Sequence, residues 1–530
     1  ELQELVNKAH QRQIKVILDI VINHLCDSQT NYEKPADHYR CSNDLNANNW
    51  NGTPGGSPGQ GKLKFSSQFF PPFKSQYFFN RCGANSPSDM EGTEPASVYG
   101  DFVAEMFDFD TRNYDLQEIF TELHKYWIAY ADVDGFRLDA AKHVSEDFIA
   151  YFSTQTRDYA RSIGKKNFLV VGEVAGPSDW IARRLGNMLS HPADPNQHGL
   201  VPQSLTNRLL AIKDIYNQNP VAPYPGMNAA FAFAQGGTAK EVLHGKRPSF
   251  ALEAYFKSDD HLEVSRQSDY RLNWNLLEIH DWPRFASLSK KSPETSILGL
   301  AYLAFSEGTP VIYYGMEQGF NGDCHFDKMK VGNAAQEIQK ICSEGHAHGL
   351  FRQDMFQGGY VRLGSSVEKI DQLAYIGLPD QGSLLLSDWR QDPYLDRSHP
   401  VYQASRRFFH LRKSCPALRY GQTQFRWVNY NSKGLLAFSR IDRVSSREIL
   451  VLLNTDIHWM GIPEVTVNEK ISNTIWVNML NLNEQAVTNG RGRLSFGPLN
   501  IEPLGVKIFI PKEQVGTFNP EVGIPTCLQQ

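Results

Sequence analysis

Apolar runs of strand length alternate with amphipathic stretches of helical length from the start of the chain to about Gly315. Few folds accommodate that alternation. The runs are KVILDIVINH (15–24), VDGFRLDA (133–140), NFLVVGEV (167–174), NAAFAFAQ (228–235), NWNLLEIHD (273–281) and TPVIYYG (309–315). Nearly continuous apolar runs, rich in branched residues, fit strands buried on both faces. Helical periodicity fills 116–131, 144–163 and 292–308, with an amphipathic helix already under way at Glu1. Strands that alternate with helices imply a parallel sheet covered by helices. Six such strands are two short of a closed eight-stranded barrel, and the missing pair would have to precede Glu1.

Two parts of the chain break the pattern. Residues 25–105 are rich in Asn, Ser, Pro and Gly, with scattered Phe and Tyr. That is too long for an ordinary loop and reads as an inserted irregular domain. Its aromatics Phe65, Phe69, Phe70, Phe73, Tyr77, Phe78 and Phe79 are expected to form a small core of their own. After a helix near 402–413 the period changes to short strands between turns, at 434–440, 448–454, 474–480 and 505–511. The expected order is barrel over 1–24, insertion over 25–105, the rest of the barrel over 106–419, an antiparallel β-sandwich domain over 420–512, and a tail over 513–530.

At 530 residues the chain exceeds what one core supports, which agrees with several domains. A net charge of −5 with no basic block argues against nucleic acid and anionic membranes as partners. No apolar run approaches the ~20 residues that span a bilayer. The seven cysteines (Cys26, Cys41, Cys82, Cys324, Cys342, Cys415 and Cys527) include no CxxC pair, so zinc is not expected. Their odd number leaves at least one outside any internal disulfide, and pairing cannot be read from spacing. Because the chain opens in mid-helix on Glu1, a signal peptide upstream is left open, with secretion the favoured side.

Polar clusters end four of the apolar runs: Asp19 with Asn23 and His24; Arg137 with Asp139, Lys142 and His143; Glu173; and His280 with Asp281. In parallel β/α barrels the carboxyl ends of strands converge on the face that carries the active site. One acid ending one strand is ordinarily a helix cap or an ion-pair partner. Several on successive strands imply a purpose, because half-buried charge is costly unless it is paired. Carboxylates with Arg and His suit acetal hydrolysis, in which one carboxylate attacks the anomeric carbon and a protonated one supplies the leaving oxygen. An arginine beside the nucleophile would hold it ionised, and a less solvated glutamate would keep its proton at neutral pH.

DIVINH, DGFRLDAAKH, GEV and EIHD, in that order, resemble the four conserved segments of the alpha-amylase family of glycoside hydrolases. The resemblance implies a (β/α)8 TIM-type barrel lacking its first two strands, with an inserted domain and a C-terminal β domain. It further implies a retaining hydrolase that cleaves alpha-1,4-glucosidic bonds through a covalent glycosyl-enzyme. Residue by residue, Asp139 matches the nucleophile, Glu173 the general acid and base, and Asp281 the third acid, which binds sugar hydroxyls. Arg137 matches the nucleophile's partner, and His24 and His280 match histidines that hydrogen-bond the sugar before the cut. Lys142 and His143 match a pair that contacts the sugar after it.

The same resemblance implies calcium, held by Asn23, Asp108 and the main-chain carbonyl of His143; oxygen-only donors suit that ion. Asp108 or Asp110 could instead cap the helix that follows. One position departs from the family pattern: Ile279 stands where an Asn usually precedes His-Asp. Trp282 next to it could stack on sugar or belong to the core. The expected partner is an alpha-glucan or malto-oligosaccharide, met by a monomer. The alternatives are a glucanotransferase or an alpha-glucosidase of the same family and, more remotely, a non-catalytic binding relative, which typically lacks one of the acids. With two strands and a stacking tyrosine upstream, the parent protein is expected to be active and this stretch alone to be unstable or poorly active.

Overall fold

A computed structural model describes residues 1–26, 30–31, 64–65, 73, 78–80, 96–101, 106–185, 226–258, 272–288, 293–320, 339–340, 343, 351–352 and 396–528. They form two compact units: Glu1–Phe231 with Asp259–Asn273, and Ala232–Ser258 with Trp274–Gln530.

The first unit is built on a parallel sheet whose spatial order follows the sequence: Ile17–Val21, Gly135–Asp139, Leu169–Gly172 and Ala229–Ala230. The helices Tyr114–Ala131 and Glu146–Ser162 cover it, and Asn113 caps the first by accepting from the Asp115 and Leu116 amides. Phe136, Leu138, Val170 and Val174 join Phe120, Phe148 and Phe152 of those helices in one core. Gly135 is required by close approach: a Cβ there would stand 2.4 Å from the Leu169 carbonyl oxygen and 2.8 Å from Ile17 Cγ2. Gly135→Ala is expected to cost about 1–3 kcal/mol of overpacking, read as a lower urea midpoint at an unchanged m-value.

The insertion's described aromatics do not make a separate core. Phe73, Phe78 and Phe79 pack into the same cluster as Phe107, Phe109 and Phe120, and Phe79 stacks on Phe109 with ring centroids 4.7 Å apart. Phe69, Phe70 and Tyr77, the side chain of Phe65, and Cys41, Cys82, Cys324 and Cys342 lie outside the described residues.

The second unit contains the parallel pair Trp274–Asn275 and Thr309–Pro310, followed by an antiparallel sheet. Both paired strands are shorter than their apolar runs, and the run at 228–235 gives way to a helix at Phe233. Arg412 donates to the carbonyls of Ala304, Ser306 and Gly308, and Arg440 to that of Phe305. These two side chains satisfy the acceptors left over at the end of the helix Pro293–Phe305.

The antiparallel sheet runs through eight strands, four of them from the expected runs: Leu435–Ile441, Glu448–Asn454, Ile475–Asn478 and Val506–Pro511. The first two are buried along nearly their whole length because each face meets a different core. Leu436, Phe438, Val451 and Leu453 pack with the helix Pro293–Phe305, whereas Leu435, Ala437, Leu450 and Leu452 pack around Trp476. Beyond Pro511 the hairpin Val515–Asn519 and Ile524–Cys527 is tied by a Cys415–Cys527 disulfide to the end of the helix Pro400–Ser414. Among the described residues no helix is long and apolar enough to cross a membrane.

Candidate active site

In the first unit, strand register decides which polar side chains meet. Asp19 lies opposite Arg137, and Arg137 opposite Val171. Since side chains alternate along a strand, Asp19, Arg137, Asp139 and Glu173 share one face. The Arg137 guanidinium, only 6% exposed, is their common partner: Nη1 donates to Asp19 Oδ1 at 2.7 Å and to Asp139 Oδ1 at 2.6 Å, and Nη2 donates to Glu173 Oε2 at 2.6 Å. Burial works against its charge, but Glu173, Asp19 and Asp139 outweigh that and hold the guanidinium above its ordinary range.

One cation thus serves three carboxyl groups. Their exposures differ: 60% for Asp19, 25% for Asp139 and 19% for Glu173. The two least solvated, Asp139 and Glu173, are thus held by the two terminal nitrogens of one guanidinium. The chain turns sharply after Asp139, with Ala140 in the left-handed region at φ 47°. That conformation costs an alanine roughly 1–2 kcal/mol and persists only where the surroundings impose it. The Glu173 amide donates to the Leu138 carbonyl, and the Glu173 carbonyl accepts from the Lys142 amide, so the two strand ends are stitched together at this point.

His24 is half-buried, and burial lowers its pKa while the charge of Asp139 pushes it back up. Lys142 and His143 are both about 5% exposed. The Lys142 ammonium lies 5.8 Å from the Trp180 ring centroid, and burial pushes the His143 imidazole down to about 4. A neutral His143 hydrogen-bonds through Nδ1 to the Ser97 carbonyl. These two residues are thus built into the wall of the unit, not presented on its surface.

The oxygen donors read as a cation site also gather in this unit. Asp108 lies opposite His24 in an antiparallel pair, and the Phe109 amide donates to the Asn23 carbonyl at 2.8 Å. Asn80 Nδ2 donates to Asp108 Oδ2 at 2.8 Å, and the Asp108 amide donates to Asp101 Oδ1 at 3.1 Å. Burial drives the Asp108 carboxyl well above the usual carboxylate range; Asn80 opposes this, and the charges of Asp101 and Asp110 add to it. Asn23 Oδ1 and Asp108 Oδ1 are buried without a hydrogen-bond partner. Arg184 occupies the carbonyls of Lys142 and Val144, on either side of His143. Among the described residues no group of three or more His, Cys, Asp or Glu is placed to hold a metal. Any cation here would therefore lean on amide and main-chain oxygens as well. Asp108 does not cap a helix; the cap of Tyr114–Ala131 is Asn113.

In the second unit, His280 Nε2 lies 2.8 Å from Asp281 Oδ2, and Arg352 Nη2 donates to Asp281 Oδ1 at 2.9 Å. Burial raises the Asp281 carboxyl, but His280 and Arg352 outweigh it and hold the group below the usual carboxylate range. Ile279 is buried and offers no polar group. Trp282 packs on Phe233, with the Lys240 ammonium 4.5 Å from its centroid. Arg352, Asn80 and Asp101 were not singled out from the sequence. They come from stretches without strand or helix period, where nothing local marks them.

Residues 1–191 match the family model for the alpha-amylase catalytic domain. An alpha-amylase of Streptomyces lividans is 25% identical over 480 residues, covering 86% of this chain and 44% of that protein. Over those residues the chain is similar to the alpha-amylase family of glycoside hydrolases. A cyclomaltodextrinase of Thermoanaerobacter pseudethanolicus is 26% identical over 323 residues, which is 61% of this chain and 42% of that one. The chain thus spans less than half the length of these two curated relatives. Among solved structures, the alpha-amylase of Geobacillus thermoleovorans complexed with acarbose superposes with a TM-score of 0.55 at 18% identity, covering 96% of this chain and 79% of that one. At that identity the likeness concerns the fold: a β/α barrel with a C-terminal β domain.

Proposed function

We propose that the protein is a retaining glycoside hydrolase that cleaves alpha-1,4-glucosidic bonds in starch-like glucans. The observation that carries this reading is the sharing of Arg137 between Asp139 and Glu173. Two carboxyl groups held within one guanidinium's span suit the short ~5–5.5 Å spacing of retaining enzymes, which leaves no room for a water between the second carboxylate and the anomeric carbon.

In the first step an Asp139 oxygen attacks the anomeric carbon while the Glu173 proton passes to the departing glycosidic oxygen. A β-linked glycosyl ester forms on Asp139, and the leaving chain departs as an alcohol. In the second step Glu173, now a carboxylate, takes a proton from water, whose oxygen displaces Asp139 and restores the alpha configuration. Glu173 is assigned the proton through its match to the family's general acid, and it is the least exposed of the three carboxyls that share Arg137. Asp281, kept ionised by His280 and Arg352, binds sugar hydroxyls and stabilises the positive charge that develops on the ring. His24 and His280 are proposed as sugar-binding side chains of their respective units; Lys142 and His143 form part of the wall of the first unit. Proton NMR of the first-formed product of maltoheptaose tests the reading: the alpha anomer is expected, and an initial beta anomer would refute it. Products longer than the donor would instead indicate the glucanotransferase of this family.

The oxygen cluster at Asn23, Asp108 and His143 is proposed to hold calcium. The chemistry fits: two buried oxygens lack hydrogen bonds, and Asp108 sits among like charges that a cation would neutralise. When bound, the ion would brace Asp108 against the turn at Asn23 that follows the strand Ile17–Val21. The pH dependence has a definite sign. Asp108's folded-state pKa is raised, so without metal its contribution to stability is present at low pH and lost as pH rises through that pKa. Removing calcium with a chelator is therefore expected to lower Tm more at pH 8 than at pH 5, with proton release when calcium is added back. Equal Tm values with and without chelator at pH 8 would remove the site.

A further inference from the structure

We propose that Arg352 is a positioning residue for Asp281, seated by the buried pair of Glu278 and Arg284. The role rests on the reading of Asp281 as the sugar-binding acid.

The seat comes first. Arg284 and Glu278 are 0% and 1% exposed and pair at 2.9 Å. Buried ion pairs persist where their remaining donors and acceptors are satisfied. Here the Phe285 amide donates to Glu278 Oε2 at 2.6 Å, and Arg284 donates from Nη1 to the Tyr314 carbonyl at 2.6 Å and from Nε to the Phe351 carbonyl at 2.8 Å; its Nη2 alone is buried without a hydrogen-bond partner. The guanidinium also lies 4.1 Å from the Tyr313 ring centroid. One buried cation thus ties together the segment carrying Asp281, the end of the run at 309–315, and the backbone immediately before Arg352.

With the Phe351 carbonyl pinned, Arg352 is aimed. Its Nε donates to the His280 carbonyl at 3.3 Å and its Nη2 to Asp281 Oδ1 at 2.9 Å, while His280 Nε2 lies 2.8 Å from Oδ2. Each carboxylate oxygen of Asp281 therefore has its own partner, and rotation of the group is arrested. Ile279, adjacent and buried, offers no donor for this purpose. Among the described residues, charged groups that act on Asp281 include His280 and Arg352; Glu278 and Arg284 are paired to each other, and Lys240 lies over Trp282. Arg352 is 50% exposed, and an ion pair that open contributes little to stability. Orientation is what it supplies.

Arg352→Ala is expected to lower kcat on maltoheptaose roughly 10- to 100-fold, the effect of a small misplacement, with KM within about threefold and Tm unchanged. The acid limb of kcat/KM should move up by about half a pH unit or more, because a neighbouring positive charge no longer favours the carboxylate. Arg352→Lys should recover part of both. Unchanged kcat and an unmoved acid limb would overturn the proposal, as would a loss confined to KM or to Tm. If the unsubstituted protein hydrolysed no glucan, the functional reading would fail separately. The carboxyl-13C titration of Asp281, assigned with Asp281→Asn, would then decide: its midpoint rises in Arg352→Ala under this proposal and stays in place otherwise.

Discussion

Glu173→Gln is expected to lower kcat/KM on amylose by about 10²–10⁴-fold, the range for losing a positioned proton donor. The fold should survive, because the Gln carbonyl can still accept from Arg137 Nη2, which now reaches Glu173 Oε2 at 2.6 Å. The loss should depend on the leaving group. A maltoside with a nitrophenol leaving group needs little protonation, so its first step should be nearly spared and a glycosyl-enzyme should accumulate. Burst kinetics on that substrate, set beside steady-state rates on amylose, measure the difference. An equal loss on both substrates would mean that Glu173 is not the proton donor.

Arg137→Met should have the largest effect on the molecule as a whole. It removes the guanidinium that joins Asp19, Asp139 and Glu173. Breaking a buried pair by deleting one partner typically costs about 3–5 kcal/mol, since the other charges stay behind uncompensated. Urea denaturation at pH 7 should show a loss of that order, together with nearly complete loss of hydrolysis. The stability deficit should shrink as pH falls, because protonating one carboxyl relieves the repulsion. A variant as stable as the parent at pH 7 would mean that the carboxyls hold one another through some other partner, and the electrostatic account would fail.

The parts legible in the sequence were those set by local period. The runs at 15–24, 133–140 and 167–174 became adjacent parallel strands; the latter two are buried along nearly their whole length, whereas Ile17–Val21 is exposed at Asp19 and Val21. The two-residue alternation then placed Asp19, Arg137, Asp139 and Glu173 on one side. Gln422–Val428 and Asn481–Thr488 were not legible, because polar residues at many of their positions break the continuous apolar pattern used to find strands. The insertion's phenylalanines were assigned to a core of their own because composition separates that stretch from the barrel. In space, Phe73 and Phe79 meet Phe109 and Phe120, a long-range contact that no local window contains. Arg352 escaped notice for the same reason: it reaches Asp281 across 71 residues, and only Arg284, holding the backbone beside it, explains why.

The double-displacement mechanism turns on a bond that can be caught. Incubating the Glu173→Gln variant with a 5-fluoro maltosyl fluoride, digesting it with protease and locating the added mass by tandem mass spectrometry tests it most directly. The expected result is one sugar ester, on Asp139. A label on any other side chain, or formation of the beta product with no ester at all, would contradict it.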